Sequence, residues 1–147
     1  MKKLALSLFM TATLCSFASA SENATKDEAQ AMAVKAAAFL QENGTEKASE
    51  AFQTKGTEWF DRDLYVLVLK KGTGFLVAHG DKPAMAGRDL IGLKDANGKE
   101  FVKELAAVEN EGWVDYDWQN PATTTIEPKS TFCKAADENL VCVGAYR

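Results

Sequence analysis

The sequence predicts an α+β domain in which helices come first and an antiparallel sheet follows. Three observations carry this. A helical period rich in alanine runs from Ala29 to Leu40, the pattern switches to strand at Leu64, and three further strand-like runs follow residue 111.

Thr25-Lys26-Asp27-Glu28 reads as a capping box that starts the first helix. Ala29, Met32, Ala33, Ala36, Ala37 and Leu40 then recur at helical spacing, and Asn43-Gly44 ends the run. A stripe of alanines lets such a helix lie close against a flat surface. A second, short helix runs from Thr45 to about Gln53, with Ala48, Ala51 and Phe52 turned inward. Leu64 to Leu69 is a strand, residues 70–74 a turn, and Phe75 to His79 its partner. Residues 80–98, with several glycines and Pro83, read as a long loop with at most one helical turn. Phe101, Leu105 and Val108 mark a helix over about 99–110, and strands are expected at 112–118, 126–134 and 140–146.

The last hairpin sorts its residues by face. If Asp137-Glu138 forms a two-residue turn, Cys133 faces Cys142 at a non-hydrogen-bonded position, where Cα atoms stand about 4.5 Å apart. The choice is between a bridge and two free buried thiols, and an oxidising compartment favours the bridge. Such a bridge would have a structural role and add about 2 kcal/mol. Phe132, Val141, Val143 and Ala145 share an apolar face that should meet the alanine helix. The other face carries Lys129, Thr131, Cys133, Cys142, Gly144 and Tyr146, with Lys129 cross-strand from Tyr146. Gly144 would leave space there for a ligand.

The compartment is itself read from the start of the chain. Met1-Lys2-Lys3, an apolar run to Leu14, and Ala18-Ser19-Ala20 form a secretory signal peptide, with cleavage expected after Ala20. The residues ahead of Cys15 do not make a lipobox. Residues 21–147 then form one domain, exported to the periplasm, with Cys133 and Cys142 as its two cysteines. The whole chain has a net charge of −4, and losing Lys2 and Lys3 leaves the remainder more acidic still. An acidic protein without a basic cluster is a poor partner for nucleic acid or anionic membranes.

Residues 112–129 are the most informative stretch. Val114, Tyr116 and Trp118 alternate with acids, so one strand face becomes an aromatic wall, and Lys129 in the next strand can be aimed at it. Aromatic walls with one fixed charge suit small anions. Lys129 follows Pro128, a setting equally compatible with a surface charge. His79, expected roughly opposite Tyr65, is either a satisfied hydrogen-bonder at a strand end or a functional group. Arg88, in Gly87-Arg88-Asp89, either pairs with a neighbouring acid or reaches an anion.

Catalytic constellations are hard to build from this chain, and it reads as a non-enzyme without a cofactor. One histidine without clustered ligands makes no metal site. Asp95-Ala96-Asn97-Gly98 resembles half a calcium loop but lacks the third acid and the distal glutamate, and is read as a turn. Asp115 and Asp117 share a strand face, but the one opposite the aromatics.

The motifs in order are Asp63-Leu64-Tyr65-Val66-Leu67-Val68-Leu69, Val77-Ala78-His79-Gly80, Gly87-Arg88-Asp89-Leu90 and Asp95-Ala96-Asn97-Gly98-Lys99. They continue as Gly112-Trp113-Val114-Asp115-Tyr116, Trp118-Gln119-Asn120-Pro121, Glu127-Pro128-Lys129-Ser130 and Val143-Gly144-Ala145-Tyr146. Together they resemble the single Cache domain of bacterial chemoreceptors and sensor kinases (the sCache_2 type), over nearly all of the exported chain. The resemblance implies a PAS-like antiparallel sheet with a long N-terminal helix on one face and a pocket on the other. It further implies binding of a short organic acid of the acetate, propionate, pyruvate or lactate class. Tyr65, His79, Tyr116, Trp118 and Lys129 are the implied contacts, with Arg88 a weaker one.

Relatives commonly continue into a transmembrane helix and a signalling domain, whereas this sequence ends at Arg147. The expectation is a stand-alone protein, monomer or homodimer, that hands its liganded state to a membrane-bound sensor kinase or receptor. The alternative is an interaction module without a small ligand, docking onto a membrane sensor or an electron-transfer protein. That alternative expects an exposed apolar patch around Trp59-Phe60 or Trp113.

Overall fold

The computed structural model describes residues 23–147, so the expected signal peptide and its cleavage site lie outside the described residues. The element order is α1 (Lys26–Asn43), α2 (Thr45–Gln53), β1 (Phe60–Asp61), β2 (Leu64–Lys70) and β3 (Phe75–His79). A 3-10 turn at Pro83–Met85 and β4 (Arg88–Asp89) follow, then α3 (Phe101–Ala106), β5 (Glu111–Gln119), β6 (Ile126–Ala136) and β7 (Asn139–Tyr146). The strands form one antiparallel sheet in the order β4-β3-β2-β7-β6-β5, and β1 adds to β2.

Helix α1 begins as the sequence indicates. Thr25 Oγ1 accepts the Glu28 N–H, and the Glu28 carboxylate accepts the Thr25 N–H at 2.7 Å. The pairing of Glu28 with Arg62, together with the cap bonds, brings its carboxyl down to about 2. Ala29, Ala33, Ala36, Ala37 and Leu40 are buried and pack with Phe132, Val141, Val143 and Ala145 in one core behind the sheet. Side chains no larger than a methyl let the helix backbone sit close to β6 and β7.

The second core lies on the other face of the sheet. Leu67, Leu69, Leu76, Val114, Tyr116, Leu140 and the Cys133–Cys142 disulfide meet Phe101, Val102 and Leu105 from α3. The two cysteines are register partners across β6 and β7, with Cα atoms 4.0 Å apart. Asp137-Glu138 is the two-residue turn that sets this register, with Asp137 at φ 54°.

Three elements differ from the sequence expectation. Helix α3 spans six residues, because the chain beyond Ala107 is drawn into β5 at Glu111. A two-residue strand at Arg88–Asp89 interrupts the 80–98 loop and pairs with Phe75 and Leu76. His79 faces Leu67 rather than Tyr65: the hairpin already pairs Leu69 with Leu76, one residue off the expected register, and Val77 adds a second residue before the Val68–Ala78 pair. This bulge puts Leu76 and His79 on the same face, which a regular strand would forbid.

The apolar patch that a docking module would need is not where it was expected. Trp59 is buried against Phe39 and Phe52, while Phe60 and Trp113 are half-buried, with the Lys26 ammonium over the Trp113 ring. The free edge of β5 is covered too. Asp117 N–H donates to Asp95 Oδ2 at 3.1 Å, and Lys99 Nζ donates to the Asp115 carbonyl. Sheet edges left open invite pairing with other chains. Asp95 also accepts from Asn97 N and Lys99 N, so Asp95-Ala96-Asn97-Gly98 is the turn the sequence indicates.

Asp63 closes the fold. Fully buried, it accepts the Ala24 N–H at 2.6 Å and the Tyr146 N–H at 3.1 Å, tying the start of α1 to the end of β7. Asp63→Asn keeps the shape but turns one acceptor into a donor facing an N–H. We expect it to lower unfolding stability by about 2–3 kcal/mol, read by chemical denaturation. A loss below about 0.5 kcal/mol would show that the anchor carries little stability.

Candidate ligand site

A small, partly open cavity of about 30 Å³ lies between the sheet and a roof made of α3 and the 80–98 loop. Its sheet side is Tyr65, Leu67, Leu69, Leu76, His79, Tyr116 and Trp118. Its roof is Met85, Leu90, Leu93, Phe101, Val102 and Leu105. By volume it holds about two water molecules.

Strand register explains which side chains gather at the polar end. Tyr116 pairs with Lys129 and Lys129 with Tyr146, so these three form one row across β5, β6 and β7. Two residues further along lie Gly144, Thr131 and Val114, with Tyr65 beside Gly144 on β2 by extension of its register. The Lys129 side chain crosses directly over Gly144. A Cβ on Gly144 would come within 2.3 Å of both Lys129 Cε and Thr131 Oγ1. The space expected at Gly144 for a ligand is therefore taken by the lysine stem.

Lys129 is 0% exposed. Its Nζ donates to Tyr65 Oη at 2.8 Å and lies 4.0 Å from the Tyr65 ring centre and 4.7 Å from that of Tyr146. Among the described residues no carboxylate forms an ion pair with it. Burial therefore dominates and brings its ammonium down to about 7, against the pull of Asp63 and Asp81, while Lys82 pushes it lower. An uncompensated buried cation is costly, and shedding the proton is the usual relief.

The tyrosines are equally constrained. Tyr65 Oη and Tyr146 Oη are 3.4 Å apart, and Tyr146 Oη donates to the Gln119 carbonyl at 2.7 Å. Thr131 Oγ1 donates to Tyr116 Oη at 2.9 Å. Burial raises all three phenols, Tyr116 to about 12, so they stay protonated.

His79 stacks on Tyr65 with ring centres 5.0 Å apart. Its Nδ1 accepts the Lys82 N–H at 2.9 Å, which leaves Nε2 carrying the proton as a donor. Burial first, then Lys129, Lys82 and Lys55, bring it down to about 3, so the ring is neutral at ordinary pH.

Of the expected contacts, Tyr65, His79, Tyr116 and Trp118 line the cavity. Lys129 stands behind the Tyr65 hydroxyl and reaches the cavity through it. Arg88 is exposed on β4 and is not part of the lining. Sequence reasoning missed Phe101, which stacks on Tyr116 at 4.2 Å and leans on Trp118 at 5.2 Å. The aromatic wall is thus covered by α3 rather than open. It also missed Lys82, whose Nζ spans from the 80–98 loop to Gln119 Oε1 and sits over the Trp118 ring. Neither residue carries a local signal, because both are placed by how the roof folds over the sheet.

Comparison with known proteins matches this arrangement. The family model for Single Cache domain 2 covers residues 15–146. The chain belongs to that family. A methyl-accepting chemotaxis protein from Vibrio parahaemolyticus RIMD 2210633 superposes with a TM-score of 0.69 at 23% identity, over 82% of this chain and 87% of its own. The periplasmic sensor domain of a chemotaxis protein gives 0.61 at 25% identity, over 82% and 88% of the two chains. A Cache chemosensory domain described for carboxylic acid recognition gives 0.61 at 17% identity, over 82% and 86%. Cache domains are extracytoplasmic sensor modules, and the long helix against an antiparallel sheet is their fold. Among the described residues, no helix is long and apolar enough to cross a membrane.

The buried lysine makes a stability prediction. Its folded-state value of about 7 lies below the ordinary 10.5, so between these values the unfolded chain binds a proton that the native chain does not. Stability therefore rises with pH across that window, and the full cost is present below it. Lys129→Met removes the buried charge and keeps the length. It should raise stability at pH 7 by about 1–4 kcal/mol and flatten the slope between pH 7 and about pH 9. His79, brought down to about 3 from 6.5, should still cost stability in the variant as pH falls below 6.5. Thermal melts from about pH 5 to about pH 9 check both.

Proposed function

We propose that the protein binds a short organic carboxylate in this cavity and presents the liganded state to a membrane-bound signalling partner outside the cytoplasm. The observation that carries the proposal is Lys129, a fully buried ammonium on the pocket face with a neutral hydroxyl as its hydrogen-bond acceptor. A site built this way is short of one negative charge. A carboxylate supplies it, accepting from Lys129 Nζ, from a tyrosine hydroxyl and from His79 Nε2, while Tyr116, Phe101 and Trp118 cover its carbons. The desolvation cost of the ion pair is offset when every lone pair of the anion meets a donor.

Membership of a family of extracytoplasmic sensor domains supports the signalling half of the proposal. So does likeness in fold to a Cache domain described for carboxylic acid recognition. A ligand of few atoms makes few contacts, so the dissociation constant should be about micromolar to millimolar.

Calorimetry and thermal shift with acetate, propionate, pyruvate and lactate test this. Wild type should be stabilised by at least one of them. Lys129→Met should lose about 2–5 kcal/mol of binding despite its greater stability. Binding should also depend on pH. A carboxylate beside Lys129 raises its proton affinity again, so above pH 7 binding takes up a proton. Affinity should then fall as pH rises past 7, by up to about tenfold per unit. No response to any acid, or equal binding by Lys129→Met, would rule the proposal out.

A further inference from the structure

Lys129 Nζ is an amine as well as a cation, and its surroundings suit the amine. Among the described residues it is the one buried lysine, and it donates to the Tyr65 hydroxyl at 2.8 Å rather than to a carboxylate. The two acids whose charge it feels are engaged elsewhere. Asp63 accepts from the Ala24 and Tyr146 N–H groups, and Asp81 pairs with Lys55 at 3.3 Å. Burial is the largest influence on Lys129, and it favours the form without the extra proton. A lysine in that form is a nucleophile, with a lone pair to offer an electron-poor carbon.

The space decides what can meet it. The cavity lined by Tyr65 and His79 holds about two water molecules. That is room for a molecule of three atoms with the roof where it stands. Leucines, Phe101 and Met85 line the rest, and an uncharged molecule crosses such a lining without leaving a charge unsolvated. The polar end offers two donors. No described residue accepts from His79 Nε2, and the Tyr65 hydroxyl hydrogen has only the Tyr146 oxygen to reach, at 3.4 Å.

We propose that Lys129 captures carbon dioxide, its amine adding to the carbon and holding it as a carbamate that faces Tyr65 and His79. The Nζ lone pair forms the new N–C bond, one C=O π pair moves onto oxygen, and the nitrogen releases a proton to water. Amine and carbon dioxide thus give a carbamate anion and a proton, with no oxidant or cofactor required. The step replaces a buried cation lacking a counter-charge by an anion with two donors, Tyr65 Oη and His79 Nε2. Lys82, which repels the ammonium, attracts the carbamate. This goes beyond the carboxylate reading, because the same nitrogen acts as a nucleophile and the bond is covalent.

The experiment incubates the protein with isotope-labelled bicarbonate at about pH 7.5, traps carbamates by ethylation with triethyloxonium, and locates the label by peptide mass spectrometry. Lys129 should carry at least about tenfold more label than any other lysine, since reaction follows the fraction of amine without its extra proton. Lys129→Met should lose that adduct and keep the one at the chain's α-amino group, which is the control for trapping. His79→Phe keeps a ring beside Tyr65 and removes the donor. It should lower the Lys129 adduct by about fivefold, the worth of one hydrogen bond. Label spread evenly over the lysines, or absent from Lys129 while the α-amino group is labelled, overturns the inference. So does an adduct that His79→Phe leaves unchanged. Calorimetry with organic acids is decided separately, since it reads the ammonium and trapping reads the free amine.

Discussion

The whole pocket face is organised by one buried ammonium lying over one missing side chain. Lys129 can cross β7 only because position 144 has no Cβ, and the crossing sets its Nζ between the rings of Tyr65 and Tyr146. Each neighbour then follows. Tyr65 turns its hydroxyl to the nitrogen, Tyr146 turns its own to the Gln119 carbonyl, and His79 stacks on the outer face of Tyr65. π faces and one hydroxyl solvate a cation poorly compared with water. The folded chain therefore carries an electrostatic deficit at one end of an otherwise apolar cavity. Proteins keep such a deficit where a ligand relieves it, which is a familiar trade of stability for function.

That deficit is felt beyond the cavity. Asp63 pulls the Lys129 proton affinity up against the larger effect of burial, and the same carboxylate holds the Ala24 and Tyr146 N–H groups. The ammonium and the beginning of α1 therefore share one charged residue. Behind the sheet, α1 is seated by alanines on strands β6 and β7, the strands that carry Lys129 and Gly144. Between site and helix there is one layer of backbone, tightly packed on both faces, and the disulfide pins β6 to β7.

The legible parts of the fold were those fixed by neighbours in sequence. The capping box, the alanine stripe and Gly44 bound α1 through local hydrogen bonds and period, and the structure agrees. The Asp137-Glu138 turn fixes every pair in the last hairpin, so the Cys133–Cys142 and Lys129–Tyr146 partnerships could be counted out from it. What escaped was set by contacts distant in sequence. A hairpin register one residue off the expected one and a further extra residue at Val77 together moved His79 from Tyr65 to Leu67, and bulges leave no mark in an apolar run. Gly144 was read as space for a ligand, since nothing local says that a lysine fifteen residues earlier would lie across it. Phe101 was recognised as apolar, yet its place between Tyr116 and Trp118 depends on where α3 docks.

The two walls of the cavity are built differently, and this decides which of them sets selectivity. The sheet wall is rigid: its rows are fixed by antiparallel register and by a covalent bridge, and its side chains are almost all buried. The roof has less holding it. Met85, Leu90 and Leu93 are half-buried and come from a loop whose regular structure is one 3-10 turn and two strand residues. Lys82 fastens that loop to β5 through Gln119 and Trp118, and Gly74 lets Ile91 approach the backbone so closely that no Cβ would fit. On the carboxylate proposal, the anion would meet the wall fixed by register and disulfide, and the fastening at Lys82 joins that wall to the loop above it.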